Sequence, residues 1–218
     1  MTEFIRARSE EQKEQRMQEI IDAVEALFQE KPYHEITLTT IAEKLSWTRV
    51  NLYKYVATKE EIFLELSADK RDVYYDAFKA AFPMGCNYSL EVFAEVWAGI
   101  LNAHRDHLRY SDILSTIIET NVSIERLGAF KKRYYNRAYE ISNIIATHFN
   151  LNSEDAYSVL LNVHYHAIGI DSIIRWNPLV TEALAKENIT PPNIDFRDNL
   201  RFFISMNLST YCNGILKK

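Results

Sequence analysis

Apolar residues return every three or four positions along most of this chain. That spacing commits it to helices packed on one another. Met17, Ile20, Ile21, Val24, Leu27 and Phe28 form one stripe on a first helix, roughly Glu10 to Gln29, which Pro32 stops. Leu38, Ile41, Ala42 and Leu45 repeat the pattern on a short second helix with Thr37 as its N-cap. Ser46 and Trp47 make a turn. Thr48 caps a third short helix whose inner side holds Leu52 and Val56. Thr58 and Glu61 are spaced as a capping box and start a fourth helix. It carries Ile62, Phe63, Leu66, Val73 and Ala77 and meets no breaker before Pro83, so it runs for about 24 residues and about 36 Å.

The rest reads as longer helices. Phe93, Trp97, Ile100, His104 and His107 share a face between about Ser89 and His107. A shorter helix covers Tyr110 to Asn121. Beyond Gly128, a long segment places Phe130, Tyr134, Ile141, Ile145 and Phe149 on one side. Ser153 is the expected N-cap of a helix with two apolar faces. One holds Ala156, Val159, Val163, Ala167, Ile170 and Ile174; the other holds Tyr157, Leu161, His164, Ile168 and Asp171. Such a helix is sandwiched, inside a domain or between subunits. Pro178 lies beyond it, Pro191 and Pro192 mark a loop, and Asp195 caps a last helix with Leu200, Phe203, Ile204, Asn207, Leu208 and Tyr211 inward. No strand pattern, internal repeat or low-complexity tract is visible.

Composition narrows the function. With 47% apolar residues and only five Gly and five Pro, the chain suits neither disorder nor a turn-rich β fold. Apolar runs are too short to span a membrane, and the charged N-terminal stretch has no secretory core, which predicts a cytoplasmic protein. Cys86 and Cys212 have no metal spacing. The formal charge of −5 gives no global basic excess, yet Lys44, Arg49, Lys54 and Lys59 face one acid, Glu43, between Ile36 and Lys59. Salt screens distant charges, so a local basic surface suffices to meet phosphates. Arg6 and Arg8 read as a solvated arm. No sequence signature of a hydrolase, nucleotide-binding loop or zinc protease is present. His104 and His107 share a helical face but lack a third metal ligand. The sequence therefore predicts no catalytic residue, no cofactor and no metal.

Two short helices after a longer one suggest a helix-turn-helix, whose second helix enters the major groove. The stretch from Ile36 to Phe63, ITLTTIAEKLSWTRVNLYKYVATKEEIF, resembles the TetR family signature. The shared elements are the Thr before the second helix, Ile41-Ala42, Leu52-Tyr53, the aromatic Tyr55 and Thr58-Lys59-Glu60. The match covers about residues 15–65. It departs at Ser46 and Val50, where the family has or often has Gly, at Trp47, usually a small aliphatic, and at Val56, usually Phe.

The resemblance implies an all-α fold. Its N-terminal three-helix DNA-binding domain, residues 1–60, is joined by a long helix to a helical ligand-binding and dimerisation domain, residues 61–218. It implies a homodimeric repressor, released from a pseudo-palindromic double-stranded operator by a small hydrophobic or aromatic effector. Carried over residue by residue, it sets Thr37 and Thr39 near the DNA backbone, with Thr48 capping the recognition helix. Arg49 is placed on guanine, Val50 on a thymine methyl, Asn51 on a base edge or phosphate, and Tyr53, Lys54 and Lys59 on phosphates. Trp97, His104, His107, Tyr110, Tyr134, Tyr139, Tyr157, His164 and Asp171 combine flat apolar surface with polar tips, as an effector pocket requires. Dimerisation through the last two long helices, about Ser153–Arg175 and Arg197–Ile215, nominates Val159, Val163, Ala167, Ile170, Ile174, Phe203, Asn207 and Tyr211. The alternative reading is an adaptor of the same fold that binds a protein partner and no small molecule.

Overall fold

A computed structural model describes residues 2–175 and 178–213, without the side chains of residues 2–10. The side chains of Arg6 and Arg8 and the end of the expected last helix, at Ile215, lie outside the described residues. Among these residues the structure has ten α-helices and no strand. They are α1 (Thr2–Glu30), α2 (Leu38–Lys44), α3 (Arg49–Leu52), α4 (Lys59–Ala81), α5 (Leu90–Ala103), α6 (Asp106–Ile113), α7 (Ile124–Phe149), α8 (Ser153–Ile174), α9 (Pro178–Lys186) and α10 (Phe196–Cys212). The chain forms two compact units. The first takes residues up to Ser67 together with Leu114–Phe130; the second takes Ala68–Ile113 and everything from Lys131 onward.

The first unit is built on the predicted stripe: Ile20, Val24, Leu27 and Phe28 of α1 are buried, as are Ile36, Ile41, Leu52, Val56, Ile62 and Phe63. Phe63 receives Phe28 and Tyr33 edge-on, each at 5.0 Å between ring centroids. The Thr37 hydroxyl accepts from the Thr40 amide at 3.1 Å and the Thr40 hydroxyl from the Thr37 amide at 2.9 Å, so α2 starts with both orphan donors satisfied. It ends in a Schellman turn: the Ser46 amide donates to Glu43 O at 3.0 Å and the Trp47 amide to Ala42 O at 2.8 Å. Ser46 takes the left-handed conformation this turn needs, with φ of 56°. The segment before α7 joins this unit. Asn121 O lies 3.4 Å from the Thr58 hydroxyl, and Arg126 pairs with Glu61 and Glu65, each at 3.7 Å.

The second unit has one aromatic-rich core. Phe78, Phe82, Phe93 and Trp97 pack with Val159, Val163 and Ala167 of α8 and Leu200, Ile204 and Leu208 of α10. Along α4 and α7, Arg133 bonds Asp69 and Asp72 at 2.8 and 2.7 Å, Lys79 bonds Glu140 at 2.8 Å, and Arg137 pairs with Asp76.

Several boundaries differ from the periodic reading. The helix expected from Ser89 to His107 breaks at His104, which caps α5 with φ −116° and ψ 35°; α6 starts at Asp106. His104 and His107 thus do not share a helix. Asn152, not Ser153, caps α8, its side chain accepting from the Asp155 amide at 2.8 Å. The short α9 starts at Pro178, where the periodic pattern predicts no helix; proline suits a first helical turn because its missing N–H would have had no partner there.

Candidate nucleic-acid interface and a buried polar cluster

α3 is four residues long, too short to persist by helix propensity alone. Its cap and anchor define it: the Thr48 hydroxyl accepts from the Asn51 amide at 3.2 Å, and Leu52 is fully buried. What remains faces solvent. Val50 is 74% exposed and Tyr53 49%, with Arg49 and Lys54 exposed beside them and Asn51 half-buried. The Arg49 guanidinium donates to the Tyr53 hydroxyl at 2.9 Å, which restricts a long side chain while leaving donors for a base edge. Thr37 and Thr39 are exposed at the start of α2.

Lys59 is placed differently from its expected phosphate role. Its ammonium donates to Tyr33 O at 2.9 Å and Ile36 O at 2.6 Å and lies 3.7 Å from the Tyr33 ring centroid. Two of its three N–H groups are thereby engaged inside the protein. Burial pulls its pKa below the usual lysine value, opposed by the Glu60 carboxylate. The Tyr33 hydroxyl donates to Glu60, and burial, aided by that carboxylate, pushes the phenol pKa up. The clamp of Tyr33, Lys59 and Glu60 had no signal in the sequence, because the acceptors of Lys59 are backbone carbonyls.

In the second unit, five of the nine pocket candidates are buried or half-buried around a cluster of rings and charge. Trp97 is fully buried and its indole N–H donates to the Tyr74 hydroxyl at 2.8 Å. The Tyr74 ring stacks on His107 at 4.5 Å, and His107 faces His164 at 6.1 Å. Tyr110 is buried one turn along α6 from His107. Arg71, also buried, lies 4.5 Å from the centroid of Tyr134. Tyr74 and Arg71 are members that periodicity did not nominate.

His107 Nδ1 is 2.6 Å from His104 O, and a carbonyl only accepts, so Nδ1 carries the proton and Nε2 is a bare acceptor. Among the described residues no group reaches that buried Nε2. Burial lowers the His107 pKa to about 4 and, with the charges of His107 and Arg71, that of His164 to about 3. Both imidazoles are neutral at pH 7.

The other candidates are elsewhere. Tyr139 is 53% exposed on α7, 5.4 Å from the half-buried Tyr157. Burial raises the Tyr157 pKa, helped by the neighbouring Tyr134, Tyr135 and Tyr139. The His104 side chain is half-exposed at the end of α5. Asp171 is buried but both its oxygens are engaged, by Arg105 at 2.8 Å and by Arg175 at 2.6 Å. It ties α8 to the residue before α6.

The interface candidates divide as well. Val159, Val163 and Ala167 are fully buried in the core of their own unit, which leaves them no surface for a second copy. Two apolar faces on α8 reflect a helix already enclosed by its own chain. Ile170, Ile174, Phe203 and Tyr211 are half-buried against that core, and Asn207 is half-buried beside them on α10. The outward large apolar side chains on these helices include Tyr165, Ile173, Phe202 and Met206, at 63%, 57%, 68% and 48% exposure.

Among the described residues no three His, Cys, Asp or Glu side chains gather as a metal site requires, and no helix is long and apolar enough to cross a membrane.

Two family models match: bacterial regulatory proteins of the tetR family over residues 20–66, and the tetracyclin repressor-like C-terminal domain over residues 68–216. No curated protein matches. Similar solved structures include a bacterial regulatory protein in the tetR family from Rhodococcus RHA1, with 17% identity, TM-score 0.58, and 89% of this chain and 96% of that one covered. The TetR family transcriptional regulator PfmR from Thermus thermophilus has 16% identity, TM-score 0.56, and coverage of 87% and 97%. The fatty acid degradation regulator FadR from Bacillus halodurans has 14% identity, TM-score 0.55, and coverage of 88% and 93%. These likenesses establish the fold.

Proposed function

The chain belongs to the TetR family of DNA-binding transcriptional regulators, which are not enzymes, and from that premise we propose that it is a cytoplasmic homodimeric repressor whose operator is released by a small effector. The observation that carries the DNA half of this reading is the solvent-facing row Arg49, Val50 and Tyr53 on a capped and anchored α3. Two copies would set two such helices about one DNA turn apart, or a multiple of it, on a pseudo-palindrome. The outward Tyr165, Phe202 and Met206 on α8 and α10 supply the apolar surface that a second copy would cover.

The effector half is supported by the cluster of Trp97, Tyr74, His107, Tyr110 and His164. Its buried His107 Nε2, an acceptor without a partner among the described residues, is what a ligand N–H or O–H would meet. α4 carries Arg71 and Tyr74 of this cluster and Lys59 of the clamp beneath the helix-turn-helix. A ligand that prefers a different setting of α4 would shift the population of DNA-binding dimers; one that binds both settings equally would shift nothing.

Binding of the purified chain to its own upstream DNA, followed by screening of small aromatic and aliphatic compounds for release, tests both halves. A salt-sensitive, sequence-specific complex that a compound dissociates supports the proposal. A complex that no compound releases, but that captures a specific protein, would favour the adaptor reading.

A further inference from the structure

We propose that a groove beside α3 holds a backbone phosphate of the bound DNA, with Lys13, Arg16 and Lys54 as its cationic ligands. The proposal rests on the DNA-binding reading and adds a contact from α1. The groove has a volume of about 570 Å³ and is lined by Lys13, Arg16 and Glu19 of α1 and by Lys54 and Tyr55. Lys54 and Tyr55 follow the recognition helix directly, and Trp47 precedes its cap.

A cation–π contact from Arg16 to Trp47 links the two sides. The Trp47 and Tyr55 rings lie 5.8 Å apart, and the Arg16 guanidinium sits 5.2 Å from the Trp47 centroid. Glu19 holds Arg16 Nη1 at 2.7 Å, which leaves the remaining guanidinium N–H groups for another acceptor. Three cations against one carboxylate leave the groove positive. Trp47 stands where the family signature has a small aliphatic, and as a platform under Arg16 its size has a use.

The position selects phosphate over base. An α-helix fills the major groove, so the protein surface flanking that helix meets the phosphate backbones. Bases are met by the N-terminal residues of α3, whereas Lys54 and Tyr55 lie past its last turn.

The test uses the full chain and a duplex recovered from random-sequence DNA by selection with that chain. Binding constants are measured against salt for the wild type, a Lys13→Ala/Arg16→Ala double variant, Arg16→Lys and Arg49→Ala. Loss of the one phosphate contact lowers the slope of log K against log salt by about 0.9, so the double variant is expected to lose about 0.9. It should keep the wild-type ranking of sequences and the wild-type melting temperature. Arg16→Lys should keep the slope, and Arg49→Ala should relax the sequence preference. A double variant with the wild-type slope overturns the groove assignment while leaving the DNA reading intact, as does weakened binding with an unchanged slope. Failure of the wild type to select any duplex overturns both.

Discussion

Lys59 Nζ donates to the carbonyl oxygen of Ile36 at 2.6 Å and thereby fastens the start of α4 to the residue before the α2 cap. The residue that the family signature aligns with phosphate binding is in this chain also a structural clamp. Lys59→Ala removes a charge-assisted donor from two half-buried carbonyls. It should destabilise the protein by about 1.5–3 kcal/mol, measured by urea unfolding. Lys59→Ala with unchanged stability and weaker DNA binding would restore the purely phosphate role.

Ser46 should tolerate replacement by glycine. It holds φ of 56° at the turn between α2 and α3, a conformation that costs a non-glycine residue about 1 kcal/mol. Ser46→Gly is expected to raise stability by about 0.5–1 kcal/mol, less the greater entropy of the unfolded glycine chain, without changing sequence preference. A lower melting temperature would show that the Ser46 side chain stabilises the turn by a route the backbone does not reveal.

The pH dependence of stability should carry the signature of the two neutral histidines. Their folded pKa values, about 4 for His107 and about 3 for His164, lie below the ordinary value of 6.5. As pH falls below 6.5 the unfolded chain takes up protons that the folded chain refuses. Their contribution is thus complete above pH 6.5 and declines as pH falls toward 4. The slope is on the order of 1.4 kcal/mol per pH unit for a fully buried group, and less for the more accessible His164. Urea midpoints between pH 7 and 5 should fall more steeply for the wild type than for His107→Gln, a difference that carboxylate titration does not produce. Parallel curves would contradict the burial of a neutral His107.

Phe202, outward on α10, is the residue to test for self-association. Phe202→Glu adds charge to a side chain that is 68% exposed in the single chain. It should leave the monomer fold intact and shift sedimentation toward the monomer. An unchanged dimer would move the interface elsewhere.

The helices of the first unit were legible because burial there follows a single stripe per helix. Ile20, Val24 and Phe28 are buried as their spacing predicts, and Thr37 and Thr48 cap as their side chains allow. Legibility failed where one pattern has two physical causes. The α8 face that carries Val159, Val163 and Ala167 looked like a subunit interface, yet these three side chains are enclosed by their own chain. Asp171 looked like a polar tip in a pocket, yet Arg105, far along the chain, and Arg175, one turn away, hold both its oxygens. Arg71 and Tyr74 were missed because a buried arginine on an amphipathic helix has the sequence profile of an exposed one.

Binding of the full chain and of Arg49→Ala to the chain's own upstream DNA, at two salt concentrations and against scrambled duplex, tests the regulator assignment most directly. The expected result is a complex specific for sequence and weakened by salt, with Arg49→Ala losing about 1–3 kcal/mol and part of its discrimination. Equal binding of native and scrambled duplex by both proteins would contradict it.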